Sequence, residues 1–191
     1  MTLKEEPVML AANVMLFPND ITDPESVVEA VSLKEWSHKL KQNGESLGYS
    51  CFIDKNSDPE ISKDLSEKCF NAAKIFLSKT NRNISDYNNP VESFMFVKYP
   101  ESGAKHMSSH PDRWLDENGK EVIPDITILL YLTSDYEGGN LNFDDLDIHI
   151  KPAAGNIVIF DSSLNHSVDA ILGGRRINTQ MFLFKNKEMV Q

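Results

Sequence analysis

The sequence predicts an α+β fold in which two amphipathic helices precede a β-sandwich or a double-sheet jelly roll. In the first half of the chain, apolar residues recur at steps of three and four, which is typical of helices. From Ser93 onward they form about eight short, evenly spaced runs separated by turn residues, a pattern typical of sandwiches and jelly rolls. Helices followed by strands make the class α+β.

The composition is that of an ordinary soluble globular protein. Hydrophobic residues make up 40% of the 191 residues and charged residues 25%. We therefore expect a single domain over residues 1–191. Its N-terminal part, with helices and a strand, extends to about residue 92, and its jelly-roll core spans residues 93 to 185 or so.

Several features predict a cytoplasmic protein without a membrane partner. No apolar run approaches the ~20 residues that cross a bilayer. The apolar stretch from Val8 to Phe17 follows Glu5 and Glu6 rather than basic residues, so it predicts a first β-strand and not a secretion signal. The net charge of −10 disfavours nucleic acid as a partner, because phosphate binding relies on Lys and Arg. The sequence does not indicate an oligomeric state.

The first helix is predicted from a capping signal. Asp23-Pro24-Glu25 supplies an N-cap, a proline at the first helical position and an acid in the first turn. An apolar side follows, and Asn43-Gly44 predicts where the helix ends. The residues of that apolar side are Val28, Val31, Trp36 and Leu40.

The second helix begins with the same signal, Asp58-Pro59-Glu60. The apolar residues that follow it at steps of three and four predict a long helix with one face for a core. These residues are Ile61, Leu65, Cys69, Ala72 or Ala73, and Phe76. Cys69 lies on this apolar face, so we interpret it as a buried core thiol.

The strands are predicted from β-rich runs bounded by glycine, proline and aspartate. Gly138-Gly139, Asp144-Asp145 and the segment from Pro152 to Gly155 are predicted as turns. The predicted strands are Ser93 to Tyr99, Asp125 to Thr133, Asn140 to Phe143, Asp147 to Lys151, Asn156 to Phe160, His166 to Val168 and Ile177 to Phe184.

Three residues form a candidate metal site. On an extended backbone residues i and i+2 point to the same face, so His110 and Asp112 can reach one ion. His166, 54 positions after Asp112, begins another predicted strand. Two histidines and one carboxylate that leave open positions form the ligand set of non-haem Fe(II) oxygenases. Each histidine taken alone could equally be a surface residue.

Ordered segments around these residues carry further information. They are Tyr99-Pro100-Glu101-Ser102-Gly103 before His110-x-Asp112, Leu130-Tyr131-Leu132-Thr133 before Glu137-Gly138-Gly139-Asn140-Leu141-x-Phe143, Pro152-x-x-Gly155-Asn156-Ile157-Val158-Ile159-Phe160-Asp161 before His166, and Gly174-x-Arg176. Together they resemble the prolyl 4-hydroxylase-like branch of the 2-oxoglutarate and Fe(II)-dependent oxygenases. The resemblance covers about half of the chain, from Phe94 to Phe184.

The resemblance implies roles for individual residues. The three candidate ligands would bind iron, and a basic residue about ten positions after the second histidine would bind the far carboxylate of 2-oxoglutarate. Arg176 matches at a spacing of ten and Arg175 at nine, and strand alternation lets only one of them point inward. We favour Arg176, because Asn178 then lies on the same face of the strand and can assist in binding the carboxylate. Tyr131 and Tyr99 match family tyrosines near the co-substrate.

The resemblance also implies a fold and an activity. The core would be a double-stranded β-helix with supporting helices. With Fe(II), 2-oxoglutarate and O2, and ascorbate as a candidate accessory reductant, the protein would hydroxylate an unactivated C–H and release succinate and CO2. The substrate would be a small molecule or a peptide, either an amino acid or a peptidyl residue, with proline favoured. Asp112 favours hydroxylation, because related halogenases lack that carboxylate. The polar stretch from Arg113 to Pro124 is expected to form a lid.

Two alternatives from other classes stay open at this stage. A catalytically idle jelly-roll binding module would keep the fold without turnover. A nucleic-acid demethylase of the same superfamily would keep the chemistry but act on another substrate. The retained ligand set disfavours the first and the net charge disfavours the second.

Overall fold

The computed structural model of the chain describes residues 5–36, 38–42, 45–88, 93–99 and 107–186, with the backbone alone at 38–42 and 45–46. Asn43-Gly44 and the segment from Pro100 to Gly103, both used above, lie outside these residues. Among the helices of the described part, none has the length and hydropathy needed to cross a membrane.

Two α-helices and seventeen strands make up the described structure. The helices are α1 (Pro24–Ser32) and α2 (Pro59–Lys79), and short 3-10 turns span Ile84–Asp86 and Asp144–Leu146. The strands are β1 (Val8–Ala11), β2 (Val14–Phe17), β3 (His38–Gln42), β4 (Glu45–Asp54), β5 (Tyr87–Asn88), β6 (Ser93–Lys98), β7 (Met107–His110), β8 (Trp114–Leu115), β9 (Glu121–Val122), β10 (Ile126–Tyr131), β11 (Tyr136–Gly138), β12 (Leu141–Phe143), β13 (Ile148–Ile150), β14 (Ile157–Asp161), β15 (His166–Val168), β16 (Ile171–Gly174) and β17 (Ile177–Lys185).

Helix α1 begins where predicted but ends early. The Asp23 carboxylate accepts a hydrogen bond from the Ser26 backbone N–H at 3.1 Å, as an N-cap should. The helix closes at Leu33, whose N–H donates to the Ala30 carbonyl at 3.3 Å. The prediction that it continues to Asn43 was wrong, because the chain forms β3 over His38–Gln42. Pairing of β3 with β4 satisfies the backbone of this segment in a sheet, which overrides its helical spacing.

Helix α2 confirms the second prediction. The Asp58 carboxylate accepts from the Ile61 N–H at 3.3 Å, and the predicted apolar face is buried from Leu65 to Phe76. Cys69 lies on this face without exposure to solvent, and burial raises the pKa of its thiol. It is a core residue, as interpreted from the sequence.

The larger sheet is antiparallel and carries α2 on one face. Its strands lie in the order β1-β2-β14-β10-β17-β6-β4-β3, and β5 pairs with the end of β17. Side chains of α2 join a core with one face of β10, where Ile126, Ile128 and Leu130 point. Leu129 and Tyr131 of the same strand point the opposite way into a second core. Because both faces of β10 are covered, its sequence is nearly all apolar.

The smaller sheet closes the second core. It has the order β13-β12-β15-β7, and its residues Phe143 and Val168 pack against Phe160 of the larger sheet. Two-stranded ribbons, β11 with β16 and β8 with β9, flank the sandwich. The predicted α+β class with a jelly-roll core is confirmed. The short strands β7 and β16 were not predicted, because serine and glycine dominate them.

Candidate metal and co-substrate site

The two candidate histidines face each other across the smaller sheet. Register pairs His166 at the start of β15 with His110 at the end of β7, and their ring centroids lie 4.6 Å apart. Asp112 lies two positions after His110 in the sequence. One ligand atom from each of His110, Asp112 and His166 lies within 4.8 Å of the other two. The structure thus brings together three residues that are far apart in sequence.

Both imidazoles are oriented by backbone carbonyls. Nδ1 of His110 lies 2.7 Å from the carbonyl oxygen of Ser108, and Nδ1 of His166 lies 3.1 Å from that of Leu164. Because a carbonyl only accepts, each Nδ1 carries a hydrogen and donates it. Nε2 is then the ring nitrogen with a lone pair to offer a metal.

The carboxylate of Asp112 is held by a chain of hydroxyls. The Thr127 hydroxyl donates to Oδ2 of Asp112 at 2.6 Å, and Oγ of Ser162 lies 2.7 Å from the Thr127 oxygen. Since Thr127 has a single hydrogen and gives it to Asp112, Ser162 donates to Thr127. Oδ1 of Asp112 lies 3.9 Å from Nε2 of His166. One oxygen is therefore anchored to the protein and the other faces the histidine.

The surroundings of His166 favour its neutral form. Burial lowers the pKa of this imidazole, His110 lowers it further, and Asp112 opposes the shift. Rings of Phe160 and Phe143 pack against it, with centroids at 4.8 and 6.0 Å. A neutral imidazole is the form that binds a metal. The chemistry of the donor set and its hydrogen bonds therefore fit a divalent iron ion.

Arg176 and Arg175 differ sharply in environment. Arg176 is only 1% exposed, and its Nη1 donates to Oδ1 of Asn178 at 3.0 Å. The side chain of Arg175 is 35% exposed and lies near Asp135 and Glu25, at 3.5 and 3.9 Å. Alternation at the start of β17 thus sends Arg176 into the protein and Arg175 outward.

Tyrosines surround the Arg176 guanidinium. Its central carbon lies 4.5 Å from the ring centroid of Tyr99, 5.4 Å from that of Tyr131 and 6.0 Å from that of Tyr136. Burial raises the pKa of Tyr131 and also that of Tyr136, so both phenols stay protonated at neutral pH. Tyr136 was not predicted as a site residue. Its hydroxyl donates to the Pro152 carbonyl at 3.1 Å, which fixes the ring.

Two buried polar atoms at this position lack a partner. Among the described residues, the Tyr131 hydroxyl and Nε of Arg176 make no hydrogen bond and are shielded from solvent. Unsatisfied buried donors are uncommon and costly. A carboxylate placed between them would accept from both, so this end of the site fits the far carboxylate of 2-oxoglutarate.

A cavity of about 960 Å³ connects the candidate metal ligands with the buried Arg176. It is lined by the three candidate ligands and by Arg176 at its inner end. Trp114, on the ribbon of β8 and β9, lines it at the outer end. The ribbon lies within the stretch expected to form a lid.

The family follows from the catalytic half of the sequence. Residues 94–184 match the family model described as the 2OG-Fe(II) oxygenase superfamily. The match runs from β6 to β17 and assigns this part of the chain to the superfamily. The predicted family and enzyme class, a 2-oxoglutarate-dependent dioxygenase, are confirmed, and the family implies Fe(II), 2-oxoglutarate and O2 as cofactors.

Solved structures with the same fold include several prolyl hydroxylases. A viral collagen prolyl hydroxylase from Paramecium Bursaria Chlorella virus-1, in a 2OG complex, superposes with a TM-score of 0.67 at 17% identity, over 92% of this chain and 97% of that one. A prolyl hydroxylase from Trichoplax adhaerens, bound to a peptide fragment of hypoxia inducible factor, superposes with a TM-score of 0.66 at 18% identity, over 93% of this chain and 86% of that one. A Pseudomonas putida prolyl-4-hydroxylase superposes with a TM-score of 0.59 at 19% identity, over 91% of this chain and 94% of that one.

Gly139 makes room for the oxygenase's buried arginine. It has a φ of +64°, and a Cβ there would lie 2.5 Å from Cδ1 of Ile171 and 3.1 Å from Cδ of Arg176. The interpretation of Gly138-Gly139 as turn residues is consistent with their positive φ angles. At Gly139, close packing against the Arg176 stem adds a second reason for glycine.

Proposed function

We propose that this oxygenase uses Fe(II) and 2-oxoglutarate to hydroxylate an unactivated C–H of an amino-acid residue, releasing succinate and CO2. Of the substrates considered, a peptidyl residue is the one that we favour, with proline first. The proposal rests on one observation above all, the convergence of His110, Asp112 and His166 with ligand atoms within 4.8 Å of one another.

In this proposal the three residues hold the iron. The Ser108 and Leu164 carbonyls keep Nε2 of each histidine directed to the ion. The hydrogen bond from Thr127 occupies Oδ2 of Asp112, so that Oδ1 serves as the metal ligand. Two neutral imidazoles and one carboxylate leave positions for a co-substrate and O2.

Arg176 and Tyr131 bind the far carboxylate of 2-oxoglutarate in this proposal. Their orphaned donors, Nε and the phenolic hydroxyl, support it. Asn178 holds the guanidinium through Nη1, and the Tyr99 ring covers one of its faces. Arg175 has no such role, since it pairs with acidic residues at the surface.

When bound, iron and 2-oxoglutarate supply the oxidising power of the reaction. The chain's own residues position the two molecules, and the surrounding apolar side chains keep water away from them. Ascorbate would act only as an accessory reductant that keeps the iron divalent.

The test is an assay of succinate formation from 2-oxoglutarate with a panel of proline-containing peptides and free amino acids. We expect substrate-dependent succinate formation that requires Fe(II). His110→Ala and Asp112→Ala should abolish both turnover and stoichiometric iron binding, whereas His149→Ala, a histidine outside the cavity, should retain them. Iron binding without turnover of any substrate would instead support an idle binding module.

A nucleic-acid demethylase is the less favoured alternative. The net charge of −10 works against the phosphate contacts on which such substrates depend. Demethylation of a methylated oligonucleotide, with no activity on any peptide, would replace the proposed substrate class.

A further inference from the structure

The inner face of β17 carries a row of side chains that runs from the co-substrate end of the cavity to its mouth. Cross-strand register places Asn178, Gln180 and Phe182 opposite Tyr131, Leu129 and Thr127 of β10. Alternation continues the row at both ends. Its members are Arg176, Asn178, Gln180, Phe182 and Phe184.

Phe182 marks the point where the row becomes aromatic, and it lies beside the metal site. Its cross-strand partner Thr127 donates the hydrogen bond that orients Asp112. Directly opposed residues on neighbouring strands have Cβ atoms about 5 Å apart. Phe182 therefore lines the cavity close to the metal site.

Trp114 completes an aromatic wall from the opposite side. Its ring centroid lies 5.0 Å from that of Phe182 and 6.4 Å from that of Phe184. All three rings line the cavity, and Trp114 is 40% exposed. We call Trp114, Phe182 and Phe184 the aromatic wall. Rings left this accessible at a cavity mouth can bury apolar surface of a ligand.

The charges around the cavity select against a zwitterionic ligand. Apart from the Tyr99 phenol, its ionisable lining residues in the described part of the chain are the three candidate metal ligands, Arg176 and Arg113. The first four are committed to the metal and 2-oxoglutarate, and Arg113 lies 3.7 Å from Glu121. No other lining charge among the described residues could pair with a free ammonium or carboxylate. Because unpaired charges are costly to bury, an uncharged ligand is favoured.

Gln180 offers the hydrogen bonds that an uncharged peptide needs. It is half-buried, lines the cavity, and its side chain makes no hydrogen bond to another described residue. A side-chain amide has both a donor and an acceptor, which match the N–H and C=O of a peptide backbone.

We propose that the aromatic wall and Gln180 form a subsite for a neutral peptide segment. The wall packs an apolar side chain next to the hydroxylated residue, and the Gln180 amide hydrogen-bonds the peptide backbone. The inference rests on the proposed function, because bound iron and 2-oxoglutarate define where the target C–H lies.

Trp114 itself can report on occupancy of the subsite. The chain has two tryptophans, so Trp36→Phe leaves Trp114 as the fluorophore. This variant, loaded with Fe(II) and 2-oxoglutarate without O2, is titrated with end-blocked pentapeptides that have a central proline. The flanking residues are Phe, Leu, Gly, Glu or Lys. We expect Phe and Leu peptides to change the emission at about tenfold lower concentration than Gly peptides, as burial of an apolar side chain requires.

Variants in the Trp36→Phe background separate the parts of the subsite. Phe182→Ala should remove the preference for Phe and Leu over Gly. Gln180→Leu should weaken all peptides about tenfold while keeping their order, since a hydrogen bond common to all of them is lost. Leu115→Ala is the matched control on the same ribbon, because Leu115 is 68% exposed and does not line the cavity, so it should leave both affinity and order unchanged.

The result that overturns the subsite is an unchanged Trp114 emission with every peptide, or equal affinity for Gly and Phe peptides. Either would mean that the wall only clamps the ribbon onto β17. Succinate formation from the same peptides in the presence of O2 tests the proposed function separately. Selective binding without succinate formation supports the subsite and contradicts the oxygenase proposal. Succinate formation without selectivity among the peptides supports the oxygenase proposal and contradicts the subsite.

Discussion

The two ends of the cavity differ in polarity and in the burial of their side chains. At the inner end a guanidinium, several phenols and a carboxamide are buried together, with their geometry settled before any ligand arrives. At the mouth Trp114 packs against Phe182 and Phe184, and all three rings stay at least partly exposed. The inner end suits a ligand of fixed structure, and the mouth suits one whose side chains vary. Four predictions test this contrast, from the largest expected effect to the smallest.

Replacement of Arg176 should have the largest effect at the inner end. Arg176→Met keeps much of the volume but removes the charge and the free Nε donor, and loss of this buried ion pair with its hydrogen bond predicts a rise of about 10³-fold in KM for 2-oxoglutarate. Succinate formation against 2-oxoglutarate concentration measures it. Arg175→Met is the adjacent control and should leave KM within about twofold, as surface ion pairs contribute little. An equal rise in both variants would contradict the inward orientation of Arg176.

Loss of the Thr127 hydroxyl should weaken the metal site without removing a ligand. Thr127→Val leaves the shape but frees Oδ2 of Asp112, and we expect iron affinity to fall about 10- to 100-fold, the usual range for residues that orient a ligand. Titration of the metal-free protein with Fe(II) under anaerobic conditions measures this fall.

Two variants serve as controls for the Thr127 prediction. Thr127→Ser should restore most of the affinity, since it keeps the donor. Thr179→Val removes a threonine hydroxyl that donates to the Met95 carbonyl at 2.9 Å, away from the ligands, and should not alter affinity. Unchanged iron affinity in Thr127→Val would show that Asp112 needs no such support.

Two glycines with similar backbone angles should respond differently to alanine. Gly139→Ala forces a Cβ against Ile171 and the Arg176 stem, so we expect a loss of about 1–3 kcal/mol in the free energy of unfolding and a higher KM for 2-oxoglutarate. Gly119 also has a positive φ, +75°, but its Cβ would meet nothing within 4 Å. Gly119→Ala should cost about 1 kcal/mol or less and leave KM unchanged. Denaturant unfolding and the KM measurement check both, and a raised KM in Gly119→Ala would refute the packing argument.

The mouth should contribute least to stability. Trp114→Ala removes a ring that is 40% exposed, and we expect a loss of about 1 kcal/mol or less in the free energy of unfolding. Phe143→Ala removes a fully buried ring of the inter-sheet core and should cost about 3–5 kcal/mol. Thermal melts of the two variants compare them. Similar losses would mean that the aromatic wall is a structural core after all.

The sequence predicted the site best where local spacing determines geometry. Alternation along β17 predicts that Arg176 and Asn178 share a face, and capping signals predict where both helices begin. The end of α1 could not be predicted in the same way, because pairing of β3 with β4 decides it. Thr127 and Ser162 were missed for a related reason. They meet Asp112 through contacts between separate strands, which no local pattern records.

The aromatic wall shows the same limit at the mouth. Trp114 and Phe182 are 68 positions apart, and no local sequence pattern relates them. Only the packing of the β8–β9 ribbon over β17 brings them together. The stretch expected to form a lid contains the β8–β9 ribbon, whose partner strand β17 lies at the far end of the sequence, and its role as a lid stays a prediction.

The facing histidines of β7 and β15 also bear on how the sheet assembles. Side chains alternate along a strand, so a slip of one residue in this short ladder would turn one imidazole away from the other. Only the native register brings both rings and Asp112 within reach of a single ion. An ion that binds the native register alone would stabilise it in proportion to its affinity and concentration. In this proposal, bound iron also stabilises the native pairing of β7 with β15, independently of its part in the reaction.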